Sequence, residues 1–180
     1  MTKRGTVVRV IDVLSGPFLE ALVDVADAGV SDLDAALYEC ELIEGRWDPW
    51  RSTYAMLVRS DVEGDRAQVS LVVFRGVSDF SYSTVRTNPI GDAHQIAVVK
   101  TAESNGKFTV SLVFDFDGAM EVSAVGVFLI EGTTRAASNG IPNYGNLSEA
   151  EVAAQQPSFL DDMQIERMKR ISTAAKSQEN

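Results

Sequence analysis

The chain has 180 residues, of which 45% are hydrophobic and 23% charged, a composition typical of a folded domain and not of a disordered chain. With one cysteine and one histidine, it can form neither an intramolecular disulfide nor a zinc site of the usual Cys and His type. Residues 12–48 hold ten of the 26 acidic residues and one of the 16 basic ones, so this segment carries −9 of the net charge of −10. Such a field repels phosphate backbones and disfavours nucleic acid as a partner.

No apolar run approaches the roughly 18 residues of a membrane-spanning helix, and Arg9, Asp12 and Glu20 interrupt the stretch that would have to be apolar in a signal peptide. We therefore expect a cytoplasmic protein without membrane contact. The length is that of one ordinary domain. It predicts a single α+β domain over residues 1–176, a mainly antiparallel sheet of five or six strands with helices packed on it, followed by a disordered tail over residues 177–180.

The N-terminal quarter of the chain mixes strand and helix signals. Residues 6–14 are rich in β-branched types and predict a strand. Apolar residues then recur at helical spacing and predict a helix over residues 18–28, which Gly29 ends. Residues 32–43 fit either a short helix capped by Ser31 or a half-buried strand.

Two hairpins give the clearest pattern. Strand-like runs at residues 53–60 and 66–74 flank a turn at residues 63–65. Further on, residues 95–104 and 107–116 flank Asn105-Gly106, the dipeptide best suited to the positive φ angles of a type I′ turn. Alternation in the second run predicts that one face of this strand is buried, made of Phe108, Val110, Leu112, Phe114 and Phe116.

A second turn at Asp117-Gly118 would return the chain into a third strand over residues 120–130. Counting through both turns places Val99 opposite Leu112 and Phe114 opposite Glu121.

Part of this region resembles a known family. The stretch Asn105-Gly106-Lys107-Phe108, leading to Phe114-Asp115-Phe116-Asp117, is similar to the terminal hairpin of YezG-type bacterial immunity proteins. The resemblance covers residues 105–117 and implies no residue roles.

The C-terminal part predicts helices. Residues 132–146 have the composition of a surface loop. Ser148 with Glu151 three residues later forms a capping box for a short helix that ends at Pro157. Ser158 would cap a last helix whose apolar stripe packs on the sheet and contains Leu160, Met163, Met168 and Ile171.

The most distinctive stretch is Trp47-Asp48-Pro49-Trp50-Arg51, which holds both tryptophans. Aromatic and arginine side chains in an exposed loop are the types that dominate interface energies. The alternative is that both indoles cover the open end of the sheet core, because tryptophan is usually largely buried.

The acidic N-terminal segment gives a second candidate site. Glu20, Asp24 and Asp27 fall at i, i+4 and i+7, on one face of the predicted helix. This face is either a solvated surface or a docking surface for a basic partner.

The remaining chemically active residues have structural interpretations. His94 is tied to no nucleophile, and Cys40 lies between acidic residues that disfavour its thiolate. Asp115, Asp117 and Glu121 do not match a calcium-binding loop and are explained by turn chemistry. We assign no catalytic residue, no metal site and no cofactor.

The leading hypothesis is a non-catalytic acidic binding protein that engages a basic protein partner, as an inhibitor or immunity-type protein would. The first alternative is a small-molecule binding protein or enzyme, with a pocket at the open end of the sheet lined by Trp47, Trp50, Tyr82 and His94. The second is a subunit of a larger assembly, homo-oligomers included, in which the 132–146 loop and the C-terminal helix reach a neighbouring copy.

Overall fold

The structure is a computed structural model that describes residues 6–14, 18, 25–63, 66–84, 94–115, 118–135, 148, 150–151 and 154–172. These residues form nine strands, an eight-residue α-helix and a 3-10 helix at Val10–Leu14. The strands are β1 Thr6–Arg9, β2 Ala26–Ala28, β3 Glu41–Asp48, β4 Thr53–Glu63, β5 Arg66–Thr84, β6 His94–Ser104, β7 Lys107–Phe114, β8 Gly118–Arg135 and β9 Asp162–Ile171, and the helix is α1 Val30–Leu37.

The predicted fold class is therefore wrong. All nine strands belong to one mainly antiparallel sheet, where an α+β domain with helices on five or six strands was expected. The sheet also closes on itself, because β7 pairs with β8 as well as with β6. A ring therefore runs β8-β5-β4-β3-β6-β7, with β9 and β1 continuing the sheet beyond β8. Within the described residues, the pairing of β3 with β6 consists of Glu41 with Gln95 and Leu42 with His94.

Apolar side chains lie on both faces of the central strands and form two cores. The inner core fills the ring, and the outer core lies between the sheet and the 3-10 helix together with residues 157–161. In β4 successive residues alternate between them, Tyr54, Met56 and Val58 in the inner core and Ala55 and Leu57 in the outer. A strand buried on both faces reads as a continuous apolar run, as β4 does.

Helix α1 covers part of the inner core. Its Leu33 and Leu37 are fully buried there, and Thr101 of β6 donates a hydrogen bond to Asp34, with 2.7 Å between Oγ1 and Oδ1. The ambiguous segment 32–43 thus divides into a helix, a turn at Glu39 with φ +60°, and the start of β3.

The two predicted hairpins are confirmed. Strands β4 and β5 pair antiparallel, and β5 continues to Thr84, well beyond the predicted end at residue 74. Asn105 and Gly106 both have positive φ, 54° and 72°, and Val99 lies opposite Leu112.

The face of β7 is also as predicted, with Phe108, Val110, Leu112 and Phe114 buried, while Phe116 lies outside the described residues. The register at the next turn is wrong, because Phe114 lies opposite Gly118 and Glu121 pairs with Ser111. Gly118 already belongs to β8, so residues 115–117 form the connection, and a Cβ at Gly118 would lie 3.0 Å from Cδ2 of Phe114. The glycine at position 118 is therefore needed for close packing against Phe114, whereas the sequence predicted that it was needed for the conformation of a turn.

The predicted C-terminal helix is wrong. Residues 162–171 form β9, which pairs with β8 and with both N-terminal strands, and buried Met163 and Ile165 flank the partly exposed Gln164. The residues are good helix formers, but pairing with β8 and burial in the outer core override that preference. The assembly hypothesis relied on a C-terminal helix that reaches a neighbouring copy. Because these residues form a paired strand, that helical contact is not made.

The predicted strand over residues 6–14 and the predicted helix over residues 18–28 differ in part from the structure. Residues 6–14 form β1 and then the 3-10 helix, and residues 26–28 form β2, where the predicted helix would have ended. The Ser148 cap is confirmed, since Ser148 N donates to Glu151 Oε2 at 2.9 Å and Glu151 N donates to Ser148 Oγ at 3.4 Å. Strand β8 runs through residues 132–135 of the predicted loop, whose remainder lies outside the described residues, as does the predicted tail.

Candidate functional site

The Trp47-Arg51 stretch forms the tip of the β3–β4 hairpin. Asp48 organises this turn: its Oδ1 accepts hydrogen bonds from the backbone N of Trp50 at 3.0 Å and of Arg51 at 3.3 Å. Its Oδ2 lies 2.7 Å from Nη1 of Arg51, and this hydrogen bond lowers the pKa of Asp48. The charges of Asp48 and Arg51 therefore hold the turn together.

The two tryptophans differ. Trp50 is 95% exposed, so it does not cover the core. Trp47 lies opposite Tyr54 and is 48% exposed, with its ring centroid 6.4 Å from that of Phe80. Trp47 is therefore the indole that joins the aromatic side chains at the open end of the ring.

A groove of about 310 Å³ lies beside these rings, and we call it the aromatic groove. It is lined by Leu42, Ile43, Glu44, Gly45, Tyr54, Phe80 and Tyr82. The ring centroids of Tyr54 and Phe80 are 4.8 Å apart, and that of Tyr82 lies 6.2 Å from Phe114 of the inner core. Phe80 and Tyr82 remain about 40% exposed, at 41% and 43%. The aromatic surface therefore extends from the core to solvent.

Tyr54 forms the floor of the aromatic groove. Its hydroxyl donates to Sδ of Met120 at 3.5 Å, and burial raises the pKa of Tyr54 to about 12. The phenol occupies the space beside Gly45, where a Cβ would overlap Oη and lie 3.0 Å from Cζ. Glycine at position 45 is therefore a steric requirement of the groove.

Two strand edges border the aromatic groove. Among the described residues, positions 44–48 of β3 pair with β4 alone, and a bulge precedes them at position 43. Positions 79–81 of β5 likewise pair, within the part of the chain that is described, with β8 alone. Because the groove is lined by residues 42–45 and by Phe80, it lies between these two edges. Each edge presents backbone N–H and C=O groups in the direction where a further strand would pair.

No family model matches the chain, and neither does any curated protein or solved structure.

Several of the described acidic residues of segment 12–48 have basic partners within the fold. Asp27 lies on β2, not on a helix, and its Oδ1 is 2.9 Å from Nε of Arg170. Glu41 forms a buried ion pair with Arg59 and accepts a hydrogen bond from Nε2 of Gln156 at 3.1 Å. Glu20 and Asp24 lie outside the described residues.

Glu44 also has internal partners. It pairs with Nε of Arg46 at 2.9 Å and accepts from the backbone N of Phe159 at 3.1 Å. The guanidinium of Arg46 lies 5.2 Å above the Phe159 ring. Together with Glu41, Glu44 therefore fixes residues 156–159 onto β3.

The structure brings together part of the predicted small-molecule pocket. Trp47 and Tyr82 lie at the aromatic end, but Trp50 does not line the groove. His94 begins β6 opposite Leu42, and its side chain lies outside the described residues. Tyr54 was missed, although the hairpin register places it opposite Trp47 and a polar-tipped ring among aliphatic residues was the available signal.

The described residues offer little further chemistry for a site. Cys40 is 2% exposed, and burial raises the pKa of its thiol to about 11, as expected of a small buried residue. Within the described ranges, no three His, Cys, Asp or Glu side chains converge as metal ligands would. No helix in that part of the chain has the length and apolar character needed to cross a membrane.

Proposed function

We propose that the protein is a non-catalytic binding protein that holds an extended segment of a basic protein partner in the aromatic groove. The observation that carries this proposal is the position of the half-exposed Trp47, Phe80 and Tyr82 beside two strand edges that have no second strand partner among the described residues. Contiguous exposed aromatic surface marks interaction sites, and tryptophan and tyrosine are frequent anchors of interfaces.

The strand edges favour an extended peptide as the bound form. A segment that adds to an exposed edge gains main-chain hydrogen bonds, while pockets select every second side chain. Here positions 44–48 offer the edge, and the rings of Phe80 and Tyr54 offer an apolar surface for the alternating side chains.

The charge favours a basic partner. The chain has a net charge of −10, which attracts a basic protein at long range. Glu44 and Asp48, beside the groove, are engaged in internal ion pairs, so we expect the charge to act mainly on the association rate. Raising the salt concentration should therefore slow association more than it speeds dissociation.

The test uses a fluorescently labelled short peptide of alternating valine and lysine, titrated with the full chain. We expect saturable binding, and we expect a variant with Phe80→Ser to bind at least about tenfold more weakly, as the loss of one aromatic anchor implies. The matched control is Val113→Ser, because Val113 is 44% exposed on β7 and does not line the groove.

Two further peptides separate strand addition from unspecific attraction. An analogue with every second backbone nitrogen methylated keeps its charge but loses main-chain donors, and should bind much more weakly. A valine and glutamate peptide should not bind. If the valine and lysine peptide does not bind, or binds the Phe80→Ser and Val113→Ser variants equally, the proposal is wrong.

A small apolar ligand is the second candidate for the same groove. Its volume, about 310 Å³, lies at the lower end of small-molecule sites, and its lining combines aromatic rings with few polar groups. Two results together would favour this function. Backbone methylation would leave the binding of the peptide unchanged, and a small aromatic compound would bind tightly to the wild type but not to the Phe80→Ser variant.

A further inference from the structure

A separate groove of about 350 Å³ lies where β1 and β8 end and β5 and β9 begin. We call it the arginine groove. It is lined by Val7, Arg66, Thr133, Thr134, Arg135, Asp162 and Gln164. None of these residues belongs to the aromatic groove, so the inference does not rest on the proposed function.

Two arginines face each other in this groove. Arg66 of β5 lies directly opposite Arg135 of β8, and cross-strand partners project on the same face of a sheet. No described carboxylate forms an ion pair with either of them. Nη1 of Arg66 donates to Oε1 of Gln164 at 3.3 Å. Like charges in direct opposition are destabilising, so this pair is not explained by the stability of the sheet.

Arg66 and Arg135 belong to a row of cross-strand neighbours that continues across the sheet onto β9 and β1. The β8–β9 pairing reaches Thr134 opposite Met163, which brings Arg135 beside Asp162, and Asp162 lies opposite Arg9 of β1. On its other side Arg66 lies opposite Glu63 of β4, so three arginines and two carboxylates give this row a net charge of +1, in a chain whose net charge is −10. The arginine groove is therefore a local positive site on an acidic protein.

Neutral hydrogen-bond donors lie in the next row. Thr133 is opposite Gln68 on β5 and Gln164 on β9. Hydroxyl and amide groups beside paired guanidinium groups are the donors that bind a tetrahedral anion through several oxygens.

We propose that the arginine groove binds the phosphate group of a phosphate monoester. Such a group carries a charge between about −1.5 and −2 at pH 7, and a group bound between Arg66 and Arg135 relieves the repulsion between them. Arginine binds phosphate through two parallel hydrogen bonds, and the three acceptor oxygens of the group allow both guanidinium groups to bind at once.

The test titrates the full chain with inorganic phosphate and follows the amide and guanidinium NMR signals, with sodium chloride at equal ionic strength as the reference. We expect saturable shifts at Arg66, Thr133 and Arg135 with phosphate alone. The variant R66Q/R135Q should bind at least about tenfold more weakly. The variant K100Q/K107Q has the same net charge and alters exposed lysines of β6 and β7, so it should bind as the wild type does.

The stability of the variants provides a second measurement. In chloride alone, R66Q should unfold at about the same temperature as the wild type, because it removes both the like-charge pair with Arg135 and the opposite-charge pair with Glu63. Phosphoserine and glycerol phosphate then distinguish a phosphorylated side chain from a small metabolite as the source. The proposal would be overturned if phosphate and chloride caused the same NMR shifts. It would also be overturned if R66Q/R135Q and K100Q/K107Q bound phosphate with equal affinity.

Discussion

Replacing Gly45 with alanine tests the packing at the aromatic groove. The added Cβ would overlap Oη of Tyr54 and lie 3.0 Å from Cζ, and Tyr54 is only 6% exposed and held between other aromatic rings. Overpacking of this kind costs about 1–3 kcal/mol, partly offset by about 0.4–1 kcal/mol because alanine restricts the unfolded chain. We therefore expect the free energy of unfolding to fall by about 1–2 kcal/mol, which lowers Tm by about 2–8 °C for a chain of this size.

The assay is thermal and urea unfolding of three variants and of one combination. Gly126→Ala is the matched control, because its Cβ would lie 3.4 Å from Cε2 of Phe128, an ordinary contact. Tyr54→Phe removes Oη, so adding it to Gly45→Ala should recover about 0.5–1.5 kcal/mol as a coupling energy. If Gly45→Ala is as stable as Gly126→Ala, or if Tyr54→Phe recovers nothing, the packing described for Tyr54 is wrong.

Three further predictions concern the two cores and the buried ion pair. The folded pKa values of Tyr54 and Cys40, about 12 and 11, exceed the ordinary values of 10.0 and 9.0, so the free energy of unfolding should fall as the pH rises from about 9 to 12. Tyr54→Phe should flatten the part of this decline above pH 10. Phe159→Ala should cost about 3–5 kcal/mol in urea unfolding, because Phe159 is fully buried, whereas Leu160→Ala, at a 66% exposed position, should change stability by less than about 0.5 kcal/mol. Arg59→Leu should cost about 3–5 kcal/mol in urea unfolding, because it leaves a buried carboxylate without its cation.

The part of the fold that was predicted correctly from the sequence follows from the conformational preferences of turn residues. Asn105-Gly106 requires positive φ angles and tolerates few alternatives, so the hairpin and its register at Val99 follow from the dipeptide. At the next turn, the chain offered a similar dipeptide at Asp117-Gly118, but the glycine is needed for packing against Phe114. A local preference could not reveal that contact.

The errors arise from contacts distant in sequence. Residues 162–171 have helical composition, and only their pairing with β8 and β1 makes them a strand. Closure of the ring depends on β8 pairing with β5 and β7 on its two sides, which no short segment encodes. The strand count was low for the same reason, since β2 and β9, which pair with each other, were predicted as helical.

The candidate site was predicted in part. Trp47 and Tyr82 lie near each other because hairpin register and ring closure place both at one end of the sheet. Charge segregation in the sequence suggested an acidic surface, yet Asp27 and Glu41 are paired with arginines far away in the sequence. Counting charges along the chain cannot show which of them find partners in the fold.

Two strand edges beside the aromatic groove have no second strand partner within the described residues, and amide hydrogen exchange of the free protein tests most directly whether they are open. Residues 71–74 pair on both sides, with β4 and β8, and should exchange slowly throughout. In positions 44–48 and 79–81, about every second amide should exchange rapidly, because alternate N–H groups of an edge strand face away from its one partner. If all amides of both segments exchange as slowly as residues 71–74, another strand already occupies the groove and the account is contradicted.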